Sequence, residues 1–515
     1  MPSVDPARPP RGPIDINAGE DGELDPEEQM PRAPVESRGP DLLPVVELAR
    51  RLREGSLEAP ALLEAYIRRI EEINPKINAL VADRFTAARA EAEVAHRRLR
   101  AAAPGEVLPP LLGVPVTIKE FAGVEGMPHT AGLYPQRAAV AAADGTVTAR
   151  MRAAGAIILG VSNVPEGGLW METYNKIWGR TNNPWDLRRS PGGSSGGEGA
   201  LVASGCSPLG IGSDVGGSIR IPAAFCGTFG HKPSGRLVPN TGHHPGGHGK
   251  MSPYLCVGPL GRSVADLDLC LRVIAGPDGK DEACTRSYSG GYADVPIEGM
   301  RVLALETNGS TRVCPELRAA VREAAEALEA RGAVRVEVPL PRMREALLIW
   351  SAMLNEAATE RYDRVLGGGA PISLPLELLK LAVGRSDHTF AGLALTVFDV
   401  WGSKLPMNFT RLVAEGRALQ AEIEEAIGPR GVLLHPPYSR PAPYHRDSWR
   451  TPLDAACTAI FNVLELPVTV VPMGLSKKRL PLAVQVVGAR GADAVTLAAA
   501  AALEDTFGGW VRAEP

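Results

Sequence analysis

The stretch from Arg189 to Pro222 constrains this chain most, because it holds two serine-bearing, glycine-rich turns whose serines, Ser194 and Ser218, lie 24 residues apart. Gly192, Gly193, Gly196 and Gly197 bracket Ser194 and Ser195. Glycine admits positive φ and close backbone approach because no Cβ intervenes, so a hydroxyl can be held there in a forced position. Gly212, Gly216 and Gly217 precede Ser218, and a tight turn from Asp214 to Ser218 converges successive N–H groups on one point. A nest of that kind suits a developing oxyanion. The residues from Ser218 to Ala224 read as a short helix start or a turn; a helix there would turn its positive end to the same point. A nucleotide loop competes for such glycines, but Glu198 and Gly199 stand where it needs Lys and Ser or Thr. The paired clusters point to a serine hydrolase that uses no histidine.

A serine hydroxyl is a weak nucleophile at its free pKa and needs a base within hydrogen-bond reach. Lys119 lies in the apolar, β-branched run from Gly113 to Glu120, which reads as a buried strand. Burial there disfavours the ammonium and pushes the amine toward neutrality. The structural alternative is a strand-end lysine whose stem packs while its head reaches water.

Together these motifs resemble the amidase signature family, over Leu42 to Trp510 and most densely from Leu112 to Ser234. The resemblance implies the nucleophile at the serine closing Asp-x-Gly-Gly-Ser, which is Ser218. It implies a bridging serine, Ser194, preceded by a cis peptide, and a base at Lys119. Neutral Lys119 would draw a proton through Ser194 from Ser218, and the N–H groups of Val215, Gly216, Gly217 and Ser218 would form the oxyanion hole. Ser195, Asp214 and Arg220 would brace the loop. The wording of Ser190 to Gly199, Asn175 to Pro184, Gly230 to Ser234 and Val238 to Asn240 is similar to fatty-acid amide hydrolases of the type-2 subgroup. The implied activity is hydrolysis of a carboxylic or fatty-acid amide through an acyl-enzyme, with no cofactor and no metal. Two alternatives stay open. One is the A subunit of a glutamine-dependent tRNA amidotransferase, which releases ammonia from glutamine; the other is a non-catalytic amide-binding protein.

Strand candidates at Ile77–Val81, Val114–Ile118, Ala156–Gly160, Leu209–Gly212, Val302–Leu305, Val432–His435 and Leu482–Val487 alternate with helical segments. The helices are expected over Leu42–Arg53 (capped by Asp41), Leu62–Ile73, Thr146–Ala154, Ser263–Ile274, Pro315–Ala330, Ala414–Ala426, Thr451–Leu464 and Ala494–Phe507. The alternation indicates an α/β fold, a mixed β-sheet core covered by helices on both faces. Residues 1–40 are proline-rich with few large apolar residues, which predicts a disordered tail before a single domain over 41–515.

A net charge of −4 with pI near 6.2 gives no basic footprint for nucleic acid. Seven cysteines without Cys-x-x-Cys spacing argue against disulfides and zinc. No apolar leader opens the sequence and no run of about 18 apolar residues occurs, so a cytoplasmic protein without a membrane span is expected. A small-molecule amide, a peripheral membrane contact and a homodimer are the partners this reading allows. Ile372, Leu374, Leu376, Leu378, Leu379 and Leu381, with Phe390, Leu393, Leu395, Val397, Phe398 and Trp401, form two apolar groups fit for an acyl access route, for a buried helix pair or for a subunit interface. His243, His244 and His248 cluster in one loop, but no cysteine or carboxylate completes a metal set, so a pocket-rim loop is expected. Cys226 reads as a small buried thiol rather than a nucleophile.

Overall fold

The computed structural model describes residue 39 and residues 42–247, 249–358, 360–402 and 408–515, without the side chains of residues 400–402. Apart from Gly39, the proline-rich stretch lies outside the described residues, as do Asp41, His248 and the Trp401 side chain. In chain order the strands are β1 (Leu80–Asp83), β2 (Pro115–Lys119), β3 (Ile157–Ser162), β4 (Tyr174–Asn175), β5 (Gly179–Arg180), β6 (Leu209–Asp214), β7 (Phe229–Lys232), β8 (Cys256–Gly261), β9 (Arg301–Ala304), β10 (Val334–Val336), β11 (Val432–His435), β12 (Val468–Leu475) and β13 (Pro481–Gly488). The helices are α1 (Val45–Glu54), α2 (Ala59–Ile77), α3 (Phe85–Arg100), α4 (Thr146–Ala153), α5 (Gly196–Ala203), α6 (Arg220–Cys226), α7 (Val264–Ile274), α8 (Pro315–Glu329), α9 (Ala346–Ala357), α10 (Tyr362–Leu366), α11 (Leu374–Ala382), α12 (Phe390–Gly402), α13 (Phe409–Ile427), α14 (Ala456–Val463) and α15 (Asp493–Phe507).

Among the described residues one sheet runs in the order β1-β3-β2-β6-β8-β7-β12-β13-β11-β9-β10, and β4 pairs only with β5. β3, β2 and β6 are parallel, as are β11, β9 and β10, and an antiparallel centre joins the two blocks. Side chains alternate across a strand, and the core obeys this. Val302, Val432, Leu434, Val484 and Val486 pack with α1, α2, α7, α8 and α15 on one face. Leu303, Leu433, Val468 and Val487 pack with α9, α13 and α14 on the other, where α6 joins Val470 and Ala483. The expected two-sided α/β architecture is therefore present.

Several boundaries differ for local reasons. α1 begins at Val45, after Pro44, rather than at Leu42. α2 was expected to stop before Asn74 but runs through Pro75 to Ile77. Pro75 and Glu71 are exposed there, so the carbonyl that loses its partner faces water, while buried Ile73 and Ile77 hold the turn down. Asn74 Oδ1 then accepts from the N–H groups of Ala79 and Leu80, which delays β1 to Leu80. α13 starts at Phe409 because Asn408 caps it, its side chain accepting from the Arg411 N–H. The helix expected from Thr451 is a 3-10 turn up to Ala455 and α-helical only from Ala456.

Candidate active site

β2 and β6 are parallel neighbours, with Thr117 beside Gly210 and Ile118 beside Ile211. Their carboxyl ends therefore open at one edge of the sheet, where open α/β sheets bind ligands. Lys119 ends β2 and Asp214 ends β6. Ser194 lies just ahead of α5, after a cis Gly193–Ser194 peptide, and Ser218 lies in the turn from β6 to α6.

Lys119 is 1 % exposed, so the alternative with its head in water does not hold. Its Nζ sits 2.7 Å from Ser194 Oγ, 3.0 Å from Ser213 Oγ and 3.2 Å from the Ser213 carbonyl. Burial lowers its pKa from 10.5 to about 7, against the opposing pull of the Asp214 and Glu198 carboxylates. A base poised there works near neutral pH. Because the folded pKa is depressed and only the unprotonated amine accepts a proton, kcat/KM is expected to rise with pH through about 7 and then level off. A pH–rate profile checks this; a limb centred near the ordinary lysine value would contradict it.

Ser218 is 8 % exposed. No hydrogen bond joins the Ser218 and Ser194 hydroxyls among the described residues; the two loops meet through backbone, where the Ser195 N–H donates to the Ser218 carbonyl at 3.1 Å. Ser195 Oγ also donates to the Ser213 carbonyl at 3.2 Å and accepts from the Ser213 N–H at 3.3 Å. These bonds tie the Ser194–Ser195 turn to the end of β6.

The carbonyls of the turn from Asp214 to Gly217 are all taken up by hydrogen bonds. Asn462 Nδ2 takes that of Asp214 at 2.8 Å, Trp350 Nε1 that of Val215 at 2.9 Å and Thr458 Oγ1 that of Gly216 at 2.8 Å. The Ile221 N–H takes that of Gly217 at 2.7 Å. Gly217 has φ +127°, and a Cβ there would lie 2.3 Å from Thr458 Oγ1, so only glycine fits. One expectation needs correction. The Gly217 N–H, expected in the oxyanion hole, donates instead to Asp214 Oδ1 at 2.6 Å. Val215, Gly216 and Ser218 remain as the candidate donors.

Asp214 and Arg220 are both fully buried. Arg220 Nε and Nη2 donate to the two Asp214 oxygens at 3.0 Å each, and its other N–H groups reach the Thr458 carbonyl, Gln485 Oε1 and Asn462 Oδ1. Burial alone raises the Asp214 pKa, but the Arg220 charge and the N–H bonds to its oxygens outweigh it and hold it well below the carboxylate range.

His243 does not stay at the rim expected for its loop. His243 is buried, and its Nε2 lies 2.9 Å from Ser213 Oγ, directly behind Lys119. His244 turns away to Gln136 Oε1. Cys226 is a buried thiol donating to the Pro191 carbonyl, its pKa raised by burial. Sequence reasoning missed Ser213, Trp350, Thr458, Asn462, Gln485 and the inward turn of His243.

A cavity of about 370 Å³ is lined on one side by Trp170, Trp449, Phe390, Leu395 and Leu381, and elsewhere by the charged Glu166, Glu172, Lys176, Arg180 and Arg446. Trp170 stacks on Trp449, and Phe390 meets Trp449 edge-on. The cavity meets the Ser194 loop through backbone: a Cβ at Gly193 would lie 2.4 Å from the Trp170 carbonyl oxygen.

Residues 61–497 match the model of the Amidase family. Fatty-acid amide hydrolase 2-A of Danio rerio is 39 % identical over 484 residues, covering 91 % of this chain and 89 % of that protein. Fatty-acid amide hydrolase 2 of Homo sapiens is 37 % identical, covering 91 % and 90 %. The structure of 6-aminohexanoate cyclic dimer hydrolase with its substrate superposes with a TM-score of 0.74 at 28 % identity, covering 90 % of this chain and 97 % of that one. The chain belongs to the Amidase family, whose members hydrolyse amide C–N bonds. Among the described residues no helix is long and apolar enough to cross a membrane.

Proposed function

We propose that this chain hydrolyses carboxylic amides with apolar acyl groups, of the fatty-acid amide class, through an acyl-enzyme on Ser218. Neutral Lys119 takes the Ser194 proton as Ser194 takes that of Ser218, and the Ser218 oxygen adds to the amide carbonyl. The N–H groups of Val215, Gly216 and Ser218 bind the oxyanion; one such donor is worth about 3 kcal/mol of barrier. The relay then reverses, Ser194 delivering its proton to the departing nitrogen, and water releases the acid. The observation that carries the reading is the 2.7 Å contact of Lys119 Nζ with Ser194 Oγ inside a buried site.

The aromatic side of the cavity supports the acyl class, while Glu166, Glu172, Lys176, Arg180 and Arg446 put charge elsewhere in its lining. Phe390, Leu395 and Leu381 from the two apolar groups line it, whereas Leu393 is buried in the interior at 1 % exposure. Each buried CH₂ is worth about 0.8 kcal/mol, roughly fourfold. Lengthening the acyl chain is therefore expected to raise kcat/KM up to about fourfold per methylene until the cavity fills. Phe390→Ser is expected to erase that gain and spare acetamides. The purified chain alone, given acyl amides of graded length beside free glutamine, tests the reading. A flat chain-length profile would refute the acyl assignment, and release of ammonia from glutamine alone would favour the amidotransferase alternative. Leu376, Leu379, Val383 and Phe398 stand exposed on and beside α11 and α12, which supports a peripheral membrane contact.

A further inference from the structure

His243 lies outside the proton relay just described, yet its ring is built into the wall behind the base. Its Nδ1 is 3.1 Å from the Pro245 carbonyl oxygen, and its Nε2 is 2.9 Å from Ser213 Oγ. The Phe121 ring closes one side at 5.6 Å between centroids. Burial, and after it the nearby Lys119 charge, lowers the His243 pKa to about 3, so the imidazole is neutral and carries one ring proton.

The directions of the hydrogen bonds follow from what each atom is able to do. A carbonyl oxygen only accepts, so the ring proton sits on Nδ1 and points to Pro245. Nε2 then holds a lone pair, and the Ser213 hydroxyl donates to it. With its proton committed, Ser213 Oγ is left as an acceptor for a Lys119 N–H at 3.0 Å. The Ser213 carbonyl, also only an acceptor, takes the other Lys119 N–H at 3.2 Å. A neutral amine has two hydrogens, and both are now placed. Its lone pair is what remains for Ser194 Oγ at 2.7 Å.

We propose that His243 is a positioning residue for the base: by accepting the Ser213 proton it fixes Ser213 as an acceptor and turns the Lys119 lone pair toward Ser194. The inference rests on Lys119 being the base. Without His243 the Ser213 hydroxyl is free to rotate and donate to the lysine lone pair, competing with Ser194 for it. The charged and titratable groups facing this chain are Lys119 on β2, Asp214 on β6, Glu198 on α5, and His129 and His244 beside the ring. Apart from the Lys119 lone pair itself, none of them offers the Ser213 hydroxyl a hydrogen-bond acceptor in place of the imidazole.

The test is a kinetic cycle on the full chain with His243→Leu, Ser213→Ala and the double variant, each with a pH–rate profile. His243→Leu is expected to lower kcat about tenfold, the worth of one hydrogen bond to a reacting group, with KM changed less than about twofold. Its acid limb is expected to move to lower pH, because a hydroxyl donating to the amine favours the neutral form. Loosened packing that admits water would move that limb the other way. In the Ser213→Ala background, where no hydroxyl competes, His243→Leu is expected to cost nothing further. His243→Gln, whose amide both accepts from Ser213 and donates to Pro245, is expected to recover most of the rate lost in His243→Leu. If His243→Leu fails to fold, His243→Asn, too short to reach Ser213, takes its place in the cycle. An unchanged rate, an upward shift of the acid limb or an equal loss in the Ser213→Ala background would each overturn the proposal. Lys119→Ala is assayed alongside: if it stays active, the base assignment and this inference fall together. If it is dead while His243→Leu is silent, only this inference falls.

Discussion

Ser218→Ala is expected to abolish acyl-enzyme formation, and Ser194→Ala and Lys119→Ala are each expected to lower kcat on the order of 10³-fold, the usual worth of a positioned proton acceptor. The effects should not multiply. Lys119 touches Ser194 directly, and Ser194 is assigned as its link to Ser218, so losing either breaks the same transfer. The double variant should fall no further than its worse parent, as groups acting as one unit do. Initial rates on one amide across the four variants check this. Losses that multiply would mean that Lys119 and Ser194 act independently.

Arg220→Ala is expected to destabilise the fold by about 3–5 kcal/mol, the cost of leaving a buried partner charge unpaired. Asp214 would keep the bonds from Gly217 and Ile219 but lose the guanidinium that holds both its oxygens. Arg220→Lys should recover little, since one ammonium cannot serve Asp214, Thr458, Gln485 and Asn462 together. Urea unfolding monitored by circular dichroism measures it, and a loss under about 1 kcal/mol would contradict the account. Activity should drop beyond the loss of folded protein, because the turn that Arg220 ties down presents the Val215 and Gly216 N–H groups.

The parts of the site that were legible in the sequence are those where chemistry and turn geometry share a few consecutive residues. Ser194 and Ser218 announce themselves through the glycines that let backbone close on them, and Lys119 through the apolar strand that buries it. The parts that were not legible come from far along the chain. Trp350, Thr458, Asn462 and Gln485 hold the turn from α9, α14 and β13, and nothing in their own neighbourhoods marks them. His243 read as rim because its loop is polar and glycine-rich; only the bend that brings Gly123 and Gly145 against Gly242 carries it inward. In the fold, β7 and β8 escaped notice because Gly230, Gly258 and Pro259 break the β-branched pattern. β8 tolerates Pro259 because β7 pairs only with Leu260 and Gly261 beyond it. β13 was visible from its valine-rich alternation, and β11 matched its expected bounds at both ends.

Covalent trapping tests the central claim most directly. A long-chain fluorophosphonate incubated with the full chain, followed by peptide mass spectrometry, is expected to place one adduct per chain on Ser218. Labelling should slow steeply in Lys119→Ala and, in the unmodified chain, as pH falls below about 7. An adduct on Ser194, Cys226 or any other residue, or labelling of Ser218 at an undiminished rate without Lys119, would contradict the assignment.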